Sequence, residues 1–201
     1  MLRYFPNDPV GLPGLAAIML GFLAFFIALL VARARVARAP TAAMSQSAPI
    51  TRLWIVVQGI GIGAAGFGPV DVALDPMSGT AIAEAVIVAL LMGGTVGLFD
   101  ASSRAMGKNW AVVAQTRSDH VLVRNGPFRW VRNPIYVALG LFMVAMAIAF
   151  GHWRNLVVAV PLYAIGTWMR VVREEALLRT QFGTAFDDYA ARVKRFVPGL
   201  F

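Results

Sequence analysis

The stretch GLPGLAAIMLGFLAFFIALLVA, residues 11–32, decides which class of structure this chain can form. It contains no charged side chain and is long enough for a membrane helix, which needs about 20 apolar residues. The basic segment RARVAR follows directly, and basic residues are typical of the position where a transmembrane segment ends. Because the apolar run is too long for the core of a signal peptide, we expect a retained transmembrane helix.

The composition of the whole chain agrees with a membrane protein. Of the 201 residues, 59% are hydrophobic and 14% are charged, whereas soluble domains have about 45–50% apolar and about 25% charged residues. We therefore predict an all-α, integral membrane helical bundle with about five transmembrane helices. The four further apolar runs lie at about 53–70, 80–99, 134–150 and 155–172.

The C-terminal tail has the pattern of an amphipathic helix. Charged residues alternate with apolar ones at three- and four-residue spacing, which is typical of a helix at a membrane interface. We expect it to lie either on the lipid headgroups or over the mouth of the bundle. The apolar positions are Phe182, Phe186, Tyr189, Val193, Phe196 and Val197.

The basic residues predict the orientation of the chain. The net charge is +8, and Lys and Arg concentrate in the first loop, the third loop and the tail, while the second loop carries only Asp71 and Asp75. Since positive loops stay in the cytoplasm, we expect a multi-pass protein of the cytoplasmic or inner membrane, with its N-terminus outside and its C-terminus cytoplasmic. The basic residues flank apolar runs, so we expect membrane lipids and no nucleic acid as partners.

The chain has the length of a single domain. We divide it into residues 1–99, with transmembrane helices 1–3, and residues 100–201, with a cytoplasmic loop, helices 4–5 and the tail. The chain has no cysteine and only His120 and His152 as histidines. We therefore expect no metal site, no catalytic thiol and no disulfide.

The second apolar run contains Gly61, Gly63 and Gly66, which match the pattern G-x-G-x-x-G. A dinucleotide site needs this pattern between a strand and a helix of a soluble unit, and here it lies within an apolar run. Gly59 and Gly63 have the small-xxx-small spacing of closely packed membrane helices, within one chain or between chains. We expect packing rather than phosphate binding, and the sequence does not indicate an oligomeric state.

The fifth run ends in WMRVVREEALL, where Arg170 and Glu174 are four residues apart. This spacing places them on one helix face, where they can form an ion pair. An exposed ion pair at a helix end would be the simplest interpretation. However, an arginine at that depth is costly unless it faces a wet, protein-lined cavity. We expect such a cavity at the cytoplasmic ends of helices four and five.

The second half of the chain, about residues 100–201, resembles the isoprenylcysteine carboxyl methyltransferase family, part of a wider group that includes phospholipid N-methyltransferases. The resemblance rests on HVLV, GPFRWVRNPIY, R-x-x-x-EE and FG-x-x-F-x-x-Y-x-x-x-V in this order. It implies S-adenosyl-L-methionine as the cofactor and a lipophilic or small-molecule methyl acceptor. Asn133 replaces a histidine of the family pattern, and Phe128 and Phe186 each replace a tyrosine.

The resemblance also implies roles for individual residues. Arg170 and Glu174 are the expected catalytic pair, and Arg170 is expected to bind the acceptor. Arginine suits a carboxylate acceptor because its guanidinium forks onto two oxygens and stays charged. The expected cofactor-binding residues are Gln115, His120, Val121, Leu122, Val123, Phe128, Asn133, Pro134, Ile135, Tyr136, Glu174 and Glu175.

Several functions remain open at this stage. The first is methylation of an isoprenylcysteine-type carboxylate, with the cofactor entering from the cytosol and the acceptor from the bilayer. A phospholipid or small-thiol acceptor is the alternative within the same superfamily. A membrane reductase on a related scaffold and a non-catalytic membrane protein are the alternatives outside it.

Overall fold

The computed structural model describes residues 7–37, 49–107, 110 and 121–200, with the backbone alone for residues 37 and 49–52. This part of the chain is helical and contains no strand, only two isolated bridges. The helices are α1 (Leu12–Ala37), α2 (Pro49–Ala65), α3 (Gly79–Met106), α4 (Pro134–Ala149), α5 (Leu156–Phe182) and α6 (Thr184–Arg192).

Three of these helices are long and apolar enough to cross a membrane, namely α1, α3 and α5 with the short turn before it. The apolar parts of α2 and α4 are shorter. At a rise of 1.5 Å per residue, the 16 residues of α4 span only about 24 Å of a hydrocarbon core of about 30 Å. The predicted membrane helical bundle is confirmed, but two of its five apolar helices are shorter than a full span.

The helix ends follow from local sequence signals. Ser78 caps α3 by accepting a hydrogen bond from the Ala81 backbone N–H at 3.2 Å. Pro134 occupies the first turn of α4, where a missing N–H costs nothing. Gly183, with a φ of 52°, separates α5 from α6 and donates its N–H to the Arg179 carbonyl. The fifth apolar run was predicted to end near residue 172, and α5 continues ten residues further because its charged second half keeps good helix formers.

α4 lies at the centre of the bundle, and its small side chains allow the close approach of its neighbours. Ala138, Ala145, Ala147 and Ala149 are fully buried. They pack against α1 and α3 on one side and against α2 and α5 on the other. Small residues are the usual means of packing membrane helices, because dispersion contacts replace the hydrophobic effect there.

The glycines of α2 pack differently from the prediction. A Cβ atom at Gly59 or Gly63 would meet nothing within 4 Å, so the predicted small-xxx-small pair faces outward from the described bundle. Gly61 and Gly66 instead lie against neighbouring helices. A Cβ atom at Gly61 would stand 2.6 Å from the Tyr163 backbone nitrogen. Close packing of α2 is therefore present, but at Gly61 within the helix and at Gly66 directly after it.

The two ends of the bundle have different chemistry. At one end, Asp8 donates its backbone N–H to the Gly151 carbonyl and pairs with Arg154 at 3.5 Å. At the other end, a short bridge joins Val131 to Lys194 and brings the tail onto the start of α4. There α6 buries Phe186 and Tyr189. The tail helix lies against the segment before α4. It is shorter than predicted, because Gly183 ends α5 after Phe182, and the predicted apolar positions Val193, Phe196 and Val197 follow α6.

Candidate active site

Arg170 and Glu174 meet on one face of α5, as their spacing predicts. Nη2 of Arg170 lies 3.6 Å from Oε1 of Glu174. This distance exceeds the normal range of a hydrogen bond, so the pair is held by charge rather than by a shared proton. Arg170 is only 8% exposed, and a buried charge requires partners to offset the loss of water.

Tyr136, the second residue after Pro134 on α4, contacts the same pair. Its hydroxyl donates a hydrogen bond of 2.6 Å to Oε1 of Glu174. The guanidinium of Arg170 lies over the Tyr136 ring at 5.0 Å from its centroid, which is a cation–π contact. Tyr163 of α5 donates its hydroxyl to the Tyr136 backbone carbonyl. The first turn of α4 is therefore fixed against α5 at the proposed catalytic pair.

Gln58 on α2 completes this cluster, although the sequence analysis did not single it out. Its amide oxygen accepts a hydrogen bond from Nη1 of Arg170 at 2.8 Å. Its amide nitrogen donates to the Thr167 hydroxyl at 2.7 Å. Its position in the apolar stretch IVVQGIGIG could have indicated Gln58 from the sequence. A buried amide among apolar residues is costly unless it has polar partners.

Glu175 points away from this cluster and joins three segments of the chain. Its two carboxylate oxygens lie 3.0 Å from Nη2 of Arg132 and 2.8 Å from Nη2 of Arg195. Arg132 also donates to the carbonyls of Ala190 and Val193 in the tail. The predicted role of Glu175 in cofactor binding stays a prediction. In this structure, its carboxylate holds the tail and the start of α4 on α5.

Asn133 lies between the two clusters at the start of α4. Its backbone N–H donates to the Arg195 carbonyl at 3.0 Å, and its side-chain amide approaches the same oxygen at 3.4 Å. The asparagine that replaces the family histidine therefore interacts with the tail. Its neighbours Pro134 and Ile135 pack into the bundle, Pro134 being fully buried and Ile135 lying near Ala138.

The remaining predicted cofactor residues lie in the segment before α4 or outside the described part of the chain. Val121 is 67% exposed, and Leu122 and Val123 are half-buried. Phe128 is half-buried, and its carbonyl accepts a hydrogen bond of 2.6 Å from Tyr189 on α6. Gln115 and His120 lie outside the residues that the structure describes.

Tyr189 attaches α6 to the segment before α4. Burial raises the pKa of its hydroxyl to about 12, against the opposing effect of Arg132 and Arg124. The hydroxyl is protonated at neutral pH, as an ordinary tyrosine is, and donates to the Phe128 carbonyl. Arg124 adds a hydrogen bond of 3.0 Å to the Ala185 carbonyl at the start of α6. These contacts attach α6 to the segment that carries the predicted cofactor residues.

Comparisons with known proteins identify the region that contains this cluster. A family model described as phospholipid methyltransferase matches residues 83–185, just over half of the chain. The chain is 31% identical over 94 residues to protein-S-isoprenylcysteine O-methyltransferase of Tribolium castaneum, covering 45% of this chain and 32% of that protein. It is 28% identical over 91 residues to the protein of the same name from Schizosaccharomyces pombe, covering 43% and 37%.

A solved structure is also similar, that of a eukaryotic intramembrane Ras methyltransferase, isoprenylcysteine carboxyl methyltransferase. The match covers 78% of this chain and 55% of the other, with 20% identity and a TM-score of 0.46. The matched segments span about a third of the length of each of the two curated relatives. Since the family model covers just over half of the chain and includes Tyr136, Arg170 and Glu174, this chain belongs to the phospholipid methyltransferase family.

Proposed function

We propose that this protein is an integral membrane methyltransferase that uses S-adenosyl-L-methionine to methylate the carboxylate of an isoprenylcysteine-type or similar lipophilic acceptor. One observation carries the proposal. Arg170, Tyr136 and Glu174 form a single cluster, the first two buried and the third partly exposed, at the end of the bundle where α6 lies and within the region that matches the family. The names of the two curated relatives support the choice of acceptor.

The side chains of this cluster fit the proposed cofactor. Tyr136 and Arg170 both contact Oε1 of Glu174. A carboxylate oxygen is a suitable acceptor for the ribose hydroxyls or the ammonium group of S-adenosylmethionine. When bound, the cofactor supplies a methyl group on a sulfonium, which leaves as a neutral thioether. Glu174 has the role of holding the cofactor, and Tyr136 fixes the rotamer of Glu174.

Arg170 has the role of binding the acceptor carboxylate. Its contact with Glu174 is long, at 3.6 Å, whereas a charge-assisted N–H···O bond is about 2.7–2.9 Å. An acceptor carboxylate can therefore bond to the guanidinium more closely than Glu174 does. Because an ionised carboxylate needs no general base, these residues contribute alignment and exclusion of water.

The charge distribution supports separate routes for the two reactants. The end of the bundle with α6 is rich in arginine, while the other end carries Asp8, Asp71 and Asp75. By the positive-inside rule the α6 end faces the cytosol, so the C-terminus is cytoplasmic and the N-terminus is outside. The cofactor then enters from the cytosol, and a lipid-tailed acceptor enters from the bilayer between the helices.

The proposal is tested with purified protein in detergent. We expect S-adenosylhomocysteine to bind in a calorimetric titration, and methyl label to transfer from the cofactor to S-farnesyl-N-acetylcysteine. The matched control is the same thioether with its carboxylate converted to an amide, which should accept no label. A folded sample that binds no S-adenosylhomocysteine would refute a methyltransferase function. A change in the absorbance spectrum of NADPH when it is mixed with the protein would instead indicate a reductase.

A phospholipid amine is the second candidate acceptor, since the matching family model carries that description. An amine must lose a proton to be methylated and does not need an arginine beside it. Arg170→Gln should therefore abolish methylation of a carboxylate but spare methylation of a phosphatidylethanolamine. In an assay that contains both acceptors, methyl label in the lipid rather than in the farnesylcysteine would favour the phospholipid amine over the isoprenylcysteine-type carboxylate.

A further inference from the structure

The part of α2 around Gln58 lies outside the segment that matches the family, residues 83–185, yet it contacts the centre of the candidate site. Gln58 is 3% exposed, and its partners Thr167 and Arg170 are also buried. Both polar ends of the amide are used, the oxygen by Arg170 and the nitrogen by Thr167. A buried amide in an apolar helix is retained at a cost, which calls for a role beyond packing.

The backbone brings α2 unusually close to α5 at this point. A Cβ atom at Gly166 would stand 2.7 Å from the Gln58 backbone nitrogen, and one at Gly61 would stand 2.6 Å from the Tyr163 nitrogen. Both positions therefore require glycine. The two helices meet at Gln58 itself and again about one turn further along α2 at Gly61, so the position of the Gln58 side chain is set by backbone packing rather than by a flexible loop.

The direction of the amide is fixed by its two partners. Arg170 can only donate hydrogen bonds, so it requires the oxygen of Gln58. The amide nitrogen then faces the Thr167 hydroxyl, which can accept. Thr167 and Arg170 are three residues apart on α5 and therefore share a face. One amide thus joins two positions one turn apart on α5 and holds the guanidinium by Nη1, while Nη2 lies 3.6 Å from Glu174.

We infer that Gln58 is a positioning residue that fixes the Arg170 guanidinium for the acceptor carboxylate. It takes Nη1, while Tyr136 supports the guanidinium plane at 5.0 Å. Nη2 is thereby directed to the side of Glu174, where the cofactor and the acceptor carboxylate would meet. The first half of the chain thus supplies part of the acceptor site, and this inference rests on the proposed role of Arg170.

The first measurement does not depend on activity. The protein is labelled with nitrogen-15 in its arginines, and the Arg170 guanidinium signal is assigned by its loss in Arg170→Lys. We expect restricted rotation of this guanidinium in the native chain and faster rotation in Gln58→Leu. Ile60→Leu, a substitution at a lipid-facing position on the same helix, should leave the signal unchanged. Equal rotation in the native chain and Gln58→Leu would overturn the inference.

The second measurement separates positioning from a general structural role. Gln58→Leu should raise KM for the carboxylate acceptor by about tenfold, since a hydrogen bond to a charged group is lost, and it should leave binding of S-adenosylhomocysteine unchanged. In an Arg170→Lys background, Gln58→Leu should have no further effect on KM, because its effect passes through Arg170. Additive effects of the two substitutions would contradict the inference.

The outcomes distinguish this inference from the proposed function. If the native protein binds no S-adenosylhomocysteine but rotation of Arg170 depends on Gln58, the positioning role stands and the proposed function fails. If the native protein is active and Gln58→Leu changes neither the rotation of the Arg170 guanidinium nor the KM for the acceptor, the proposed function stands and the positioning role fails. If Gln58→Leu does not fold, Gln58→Asn replaces it, because it keeps the amide on a shorter side chain. Native rotation of the Arg170 guanidinium and a native KM in Gln58→Asn would also overturn the inference.

Discussion

At the scale of single residues, the site depends on how one carboxylate is oriented. Glu174 is placed between a hydroxyl from α4 and a guanidinium from its own helix. The hydrogen bond from Tyr136 is short, and the contact with Arg170 is long, so Tyr136 has the stronger control over the rotamer of Glu174. The i, i+4 spacing predicted the ion pair from sequence alone. The hydroxyl of Tyr136 was expected at the cofactor site only through the family resemblance.

Tyr136→Phe tests this control over Glu174. The substitution removes the hydroxyl and keeps the ring beneath Arg170, so we expect the Kd for S-adenosylhomocysteine to rise by about tenfold. Calorimetric titration measures the change. Trp153→Phe removes an aromatic donor from the Asp8 carboxylate at the opposite end of the bundle and should leave the Kd unchanged. Unchanged affinity in Tyr136→Phe would exclude Glu174 orientation as its role.

At the scale of elements, two kinds of contact hold the site together. The first is the attachment of the tail to the start of α4 through Glu175, Arg132 and Arg195. The second is the close packing of α2 on α5 at glycines. The sequence predicted close helix packing at glycines of the second apolar run, but at Gly59 and Gly63, and it did not indicate the arginine contacts of Glu175. Glu175 is adjacent to Glu174 and was assigned to the same ligand, but neighbouring helical residues point in different directions.

Glu175→Gln should destabilise the attachment of the tail. The Glu175 side chain is 6% exposed, and removing one partner of a buried ionic cluster costs on the order of 3 kcal/mol. Asp187→Asn is the matched control, because it breaks the Arg179–Asp187 pair, whose side chains are 53% and 52% exposed. An exposed pair contributes only about 0.2–1 kcal/mol. Thermal unfolding in detergent and protease cleavage after Arg192 would measure the two losses of stability. Equal losses in Glu175→Gln and Asp187→Asn would disprove that Glu175 holds the tail.

Gly166→Ala should separate α2 from α5. The added Cβ atom would stand 2.7 Å from backbone rather than from a movable side chain, so we expect destabilisation by about 1–3 kcal/mol. The control is Gly63→Ala on the outward face of α2, where a Cβ atom meets nothing within 4 Å. That change should be neutral or stabilising by about 0.5–1 kcal/mol, since alanine favours a helix. Destabilisation of both variants alike would argue against the close contact.

At the scale of the whole molecule, the bundle combines a polar end and an apolar body. The tail helix lies at the polar end, and α4 forms the centre with fully buried alanines. Arg170 lies buried where α2, α4 and α5 meet. The orientation of this arrangement in the membrane remains a proposal from the distribution of charge.

Because the chain has no cysteine, single cysteines can test the orientation. Met77→Cys introduces a thiol in the loop between α2 and α3, at a position that is 81% exposed, and Val197→Cys introduces one in the tail. We expect a membrane-impermeant maleimide to label Cys at position 77 in intact spheroplasts. Position 197 should be labelled only after the membrane is opened. The opposite pattern would reverse the proposed orientation.

The sequence by itself determined the helical membrane class, the approximate positions of the five apolar helices and the Arg170–Glu174 pair. These features depend on local composition and on spacing along one helix, which a single sequence contains. Only the tertiary structure decided that Gln58 joins the site, that Glu175 binds the tail, and that Gly61 rather than Gly59 or Gly63 is the glycine of α2 that packs on α5. These depend on which faces of distant helices meet, because a polar group or a glycine gains its role from a partner that lies far away in the chain.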